Sequence, residues 1–243
     1  MNRRLGFTLW LIGLPGVLLL AAVLAQSPRP DVPGLPHWWV IALVSGLQGV
    51  LLLSVAVVVG TRLAPRIGLQ APLLSALLAR QPIPDLIRAR LLPAVLGAAA
   101  GILILILYSA ALPAEMRELQ QQRALPLMVR LLYGGFTEEI LVRWGLMTGI
   151  AWLLWRMGRG QEGLLSPWMA STAIVITALV FGVAHLPAAQ ALLGGLDAPL
   201  IGLIVLSNAL FGVIAGALYW RYGLESAMCA HVMAHLGFWL WAG

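Results

Sequence analysis

The sequence predicts an all-α protein, a polytopic bundle of seven to eight transmembrane helices, and two observations carry that prediction. Of 243 residues, 61% are hydrophobic and only 10% are charged, whereas a soluble domain carries roughly 25% charged residues. The apolar residues gather into uncharged runs at 5–25, 38–60, 91–112, 168–186, 198–220 and 226–243. Each is close to the roughly 20 residues that a helix needs to cross a hydrocarbon core of about 30 Å. Other classes fall away. A lone cysteine, Cys229, supplies neither an internal disulfide nor a thiolate cluster. The net charge of +6 comes from arginine without lysine; those arginines flank the runs instead of mixing with stacking aromatics, which argues for membrane orientation and against a nucleic-acid partner.

Taken in order, the first run follows Arg3 and Arg4 and ends Val23-Leu24-Ala25-Gln26. Small residues there are also what a signal peptidase reads, but 21 apolar residues at 5–25 favour a retained helix. Residues 61–90 are rich in arginine and proline, with Leu73, Leu74, Leu77 and Leu78 at helical spacing, and are expected to lie as an amphipathic stretch on the cytoplasmic side. Residues 113–123 are polar and helix-prone. The stretch 127–157 would be roughly 46 Å long as one straight helix, so Gly134-Gly135 or Gly145 is expected to break it, with an extra short crossing or re-entrant turn. If the N-terminus is inside, ten arginines (3, 4, 62, 66, 80, 88, 90, 156, 159 and 221) face the cytoplasm against three outside (29, 117 and 123). Seven crossings with the C-terminus outside fit that asymmetry. The chain divides into N-terminal transmembrane helices with an arginine-rich interfacial segment at 1–124 and a helical core at 125–243.

The chemically informative residues are ionisable groups inside apolar helices, where a charge costs at least about 2.5–3.5 kcal/mol. They are Glu138, Glu139, Arg143, His185, His231 and His235. Glu139 and Arg143 are four apart, share a helical face and can pair. Glu138, rotated by roughly 100°, has no obvious local partner, so a proton-exchanging carboxylate is expected there. His231 and His235 stack on one face, a spacing that lets two rings approach a shared water or metal. Asn208 is expected to serve as interhelical glue, Gly212-Val-Ile-Ala-Gly216 as close helix packing, and Cys229 as a small buried apolar residue.

In order and spacing these residues resemble the CPBP family, the type II CAAX prenyl endopeptidases and bacteriocin-processing enzymes, which are intramembrane proteases. Glu138, Glu139 and Arg143 stand for its first motif, Phe181 and His185 for its second, Asn208 to Gly216 for its glycine-rich region, and His231 begins its last. The likeness covers roughly Leu125 to Trp241. Two positions depart: His235 stands where the family has asparagine or aspartate, and Trp144 where many members have glycine, which is expected to alter the helix break. The resemblance implies that Glu138 is the general base on water, that His185 and His231 position the water or the tetrahedral intermediate, that His235 supports the oxyanion, and that Arg143 holds Glu139. It leaves the cofactor open: a divalent metal such as zinc held by Glu138, His185 and His231, or none. The implied substrate is a membrane-associated peptide or protein. The lysine-free, arginine-, alanine- and leucine-rich composition suggests a bacterial inner membrane, where a bacteriocin-like precursor is a better candidate than a prenylated protein. The rival reading is a small transporter or proton-coupled carrier in which the same buried groups form a relay.

Overall fold

The structure, a computed structural model, describes residues 3–26, 37–158 and 164–242. Arg29 and Arg159, both used in the topology argument, and Gly243 lie outside the described residues. Every regular element among the described residues is helical. The helices are α1 (Arg3–Gln26), α2 (Trp38–Leu63), α3 (Pro72–Leu78), α4 (Pro84–Ala111), α5 (Ala114–Gln122), α6 (Leu127–Val129), α7 (Thr148–Met157), α8 (Pro167–Ala184), α9 (Leu186–Leu193), α10 (Ala198–Tyr222) and α11 (Leu224–Ala242). Between α6 and α7 run two π-helical segments, π1 (Arg130–Glu138) and π2 (Ile140–Met147).

Among the described residues, five helices are long and apolar enough to cross a membrane: Arg3–Gln26, Trp39–Arg66, Pro84–Ala111, Pro167–Leu193 and Ala198–Tyr222. Length and composition thus bear out five of the seven to eight spans that the sequence predicts. The two remaining long helical stretches, 127–157 and α11, are the ones that carry the acidic pair and the histidine pair, whose polarity dilutes their apolar character. Helices α1 and α2, α8 and α10, and α4 and α11 pack as pairs, and the 127–157 stretch touches α1, α2 and α11. A Cβ built on Gly212 would lie 2.9 Å from Ala178 Cα, and one on Gly216 3.1 Å from Ile174. The small-xxx-small spacing thus sets the close contact of α10 with α8.

The expected break in 127–157 does not occur. The helix instead widens into π geometry through the motif, a change that recurs at functional sites. Its glycines are occupied in close packing: Gly135 abuts Val232, Gly145 abuts Ala56, and a Cβ on Gly134 would lie 2.9 Å from His235 Nε2. The hydroxyls of Thr137 and Thr148 reach back to carbonyls five residues earlier, Leu132 O and Arg143 O, each at 3.2 Å. Thr137 also donates to Gly13 O at 2.7 Å, which ties α1 to this helix one residue before Glu138. Trp144 does not alter a break; it is 1% exposed and fills the space beside Gly60 of α2, which has no side chain.

The loops collect at two ends. At one, Leu224 N–H donates to Gln70 O (3.0 Å), Leu74 N–H to Glu225 Oε1 (2.8 Å) and Arg90 Nε to Tyr222 O (2.7 Å). The amphipathic stretch expected over 61–90 is smaller than the sequence suggests: α3 alone, with Leu74 and Leu78 packed on the core and Leu77 52% exposed. Pro84, at the first turn of α4, starts that helix seven residues before the uncharged run at 91–112. At the other end α5 lies against α9, and Arg123 Nη1 donates to Leu192 O at 3.2 Å.

Candidate active site

The centre of the bundle is organised around Glu139, the residue between π1 and π2, which is fully buried. Its Oε2 lies 3.3 Å from Arg143 Nε, so the pair expected from their spacing is present, and its Oε1 lies 2.8 Å from His231 Nδ1. A carboxylate only accepts, so His231 Nδ1 carries a proton. On its other side His231 Nε2 meets His235 Nε2 at 3.1 Å, and one of the two nitrogens donates. The rings stack with centroids 4.8 Å apart, as their four-residue separation on α11 allows. Arg143, Glu139, His231 and His235 thus form one continuous chain of polar contacts across two helices.

Phenylalanines hold that chain. Phe181 receives the Arg143 guanidinium on its face, 5.0 Å from the ring centroid, and meets His231 edge-on at 6.4 Å. The same ring meets His185 edge-on at 4.6 Å. His185 follows the last residue of α8, and its Nδ1 donates to Phe181 O at 2.7 Å, which leaves Nε2 with a lone pair. Phe211, from the glycine-rich region of α10, packs on His231 at 4.6 Å. It immediately precedes Gly212, and its contact with an imidazole from α11 was not legible in the sequence, because no periodicity reports which helices become neighbours.

The two adjacent glutamates are treated differently. Glu139 is enclosed, whereas Glu138 is half-buried and, among the described residues, its carboxylate makes no hydrogen bond or ion pair. Tyr133, one π turn earlier, is close enough to interact with its charge and carried no signal in the sequence, since a helix of 3.6 residues per turn does not align positions five apart. The site residues therefore fall into a directly bonded group, Glu139, Arg143, His231 and His235, with His185 joined to it through Phe181. Glu138 stands beside that group without bonding to it. Asn208 is not interhelical glue: its amide donates to Ile204 O of its own helix at 2.8 Å. Cys229 is only half-buried, with Sγ 3.5 Å from Met233 Sδ.

Of the three residues expected to hold a metal, His231 does not fit the role, since Glu139 and His235 engage both its nitrogens, whereas Glu138 and His185 Nε2 are unengaged. Among the described residues, no three His, Cys, Asp or Glu side chains gather as metal ligands.

No curated protein and no solved structure matches the chain significantly. Residues 120–237 match the family model described as type II CAAX prenyl endopeptidase Rce1-like, a protease family. That segment contains Glu138, Glu139, Arg143, His185, His231 and His235, so the part of the chain that carries the site residues is similar to the Rce1-like type II CAAX prenyl endopeptidases.

Proposed function

We propose that the protein is an intramembrane endopeptidase that hydrolyses a peptide bond of a membrane-associated peptide or protein with water activated by Glu138. The observation that carries this reading is the division between the two glutamates. Glu139 is enclosed by Arg143 and His231 and serves structure, while Glu138 presents an unengaged carboxylate on a partly open face. Glu138 takes a proton from water, the resulting hydroxide attacks the scissile carbonyl carbon, and the same proton passes to the departing amine as the C–N bond breaks. His185 Nε2 accepts the second hydrogen of the water and orients it.

His235 stabilises the oxyanion in place of the family's amide. In this reading His231 Nε2 is the donor in its bond with His235 Nε2. The neutral His235 then has Nδ1–H free to donate to the developing charge. No step uses a metal. The bundle crosses the membrane seven times with the N-terminus inside, in a bacterial inner membrane, and the end that carries α3, Arg66 and Arg90 faces the cytoplasm.

The test is the purified protein in liposomes with a membrane-anchored fluorogenic peptide in water enriched in oxygen-18. Cleavage with one heavy oxygen in the new carboxylate is expected. Proton flux across the liposome without cleavage would select the carrier reading instead.

A further inference from the structure

We infer that the groove between α1 and α2 at their arginine-bearing ends is a binding site for an anionic glycerophospholipid. The site is independent of the protease reading, since none of its residues belongs to the catalytic group. The groove encloses about 250 Å³ and is lined by Arg3, Gly6, Phe7, Trp10, Val57 and Thr61. Gly6 makes it deep: a Cβ there would stand 3.2 Å from Thr61 Oγ1 and 3.6 Å from Val57. Phe7, 62% exposed, and Val58, 42% exposed, open the walls sideways toward lipid. The far end is closed by Trp10, whose Nε1–H donates to Ser54 Oγ at 3.0 Å, while Ser54 donates to Val50 O at 2.7 Å.

Two features select an anionic lipid over a plain acyl chain. Thr61 is 5% exposed, yet its hydroxyl has no hydrogen-bond partner. The buried hydroxyls of Thr137, Thr148 and Thr177 all donate to carbonyls. A buried orphan hydroxyl is destabilising, and a phosphate or ester oxygen in the groove would accept its hydrogen bond. Arg3 lines the groove, Arg4 follows it on α1, and Arg62 and Arg66 follow Thr61 at the end of α2 and just beyond it, while α1 and α2 contain no acidic residue. Among the described residues none of these four arginines makes an ion pair or hydrogen bond. An uncompensated guanidinium in the wall of an apolar slot with one free hydroxyl, with three more unpaired arginines on the same helix ends, matches a negatively charged headgroup joined to an acyl chain.

The experiment is native mass spectrometry of the intact, detergent-purified protein titrated with phosphatidylglycerol or with phosphatidylcholine of the same chains. The wild type should retain one phosphatidylglycerol at least about fivefold more readily, since each arginine near such a headgroup contributes about 1 kcal/mol. Arg3→Glu, at an exposed position, should abolish that preference. Gly6→Leu should remove retention of either lipid by filling the groove, and Val58→Trp fills it from the opposite wall should Gly6→Leu fail to fold. Equal retention of the two lipids by the wild type, or undiminished retention in Arg3→Glu and in the filled variants, would overturn the site. Thermal protection by inorganic phosphate equal to that by phosphatidylglycerol would overturn the lipid as its occupant.

Discussion

Replacing Arg143 with methionine isolates the electrostatic role of the buried pair, because methionine keeps most of the side-chain volume and the cavity contribution stays small. Arg143 and Glu139 expose 1% and 0% of their side chains, so Glu139 cannot turn to solvent when its partner is lost. Removing one member of a buried pair typically costs about 3–5 kcal/mol, most of it the stranded charge. His231 still bonds Oε1, which places the expected loss at the lower end, about 3 kcal/mol. For a chain of this length about 2–4 °C of melting temperature follows each kcal/mol, so Arg143→Met should melt roughly 6–12 °C below wild type. The double variant Arg143→Met/Glu139→Gln removes the stranded charge and should recover at least half of that drop. Differential scanning fluorimetry in one detergent gives both numbers. An Arg143→Met protein that melts with the wild type, or a double variant that melts lower than the single one, would refute the reasoning.

His185→Ala and His231→Ala should each remove cleavage, but only His231→Ala should also lower the melting temperature, since His231 alone of the two bonds Glu139; equal melting of the two variants would contradict that split. His235→Asn should retain cleavage in a reporter assay, because an amide N–H can donate to the oxyanion, and a dead but folded His235→Asn would remove the assignment. Gly60→Ala should destabilise by about 1–3 kcal/mol through overpacking against Trp144, measurable as a lower melting temperature; an unchanged value would show that Trp144 has room to move.

The helical class and most helix positions were legible because long uncharged runs have one outcome in a bilayer. The ion pair of Glu139 with Arg143 was legible because four-residue spacing is local geometry. The junction of His231 with Glu139 was not, since 92 residues separate them and only the packing of α11 on π1 joins them. The glycines of 127–157 were misread as breakers because a glycine reports freedom, and only the neighbour decides whether that freedom becomes a kink or a close approach. Here Val232, His235 and Ala56 occupy the space their missing side chains leave. The start of α4 was placed late because Asp85, Arg88 and Arg90 interrupt the apolar run without interrupting the helix.

The central claim is that Glu138, and not its neighbour, activates water. Glu138→Gln keeps the size of the side chain and removes its ability to take a proton. Because Glu138 makes no ion pair among the described residues, the variant should melt with the wild type. The most direct measurement is the set of peptides released from membranes bearing wild-type or Glu138→Gln protein, quantified by mass spectrometry at matched expression. The account predicts peptides released by the wild type and absent with the variant; release by Glu138→Gln at the wild-type level would contradict it.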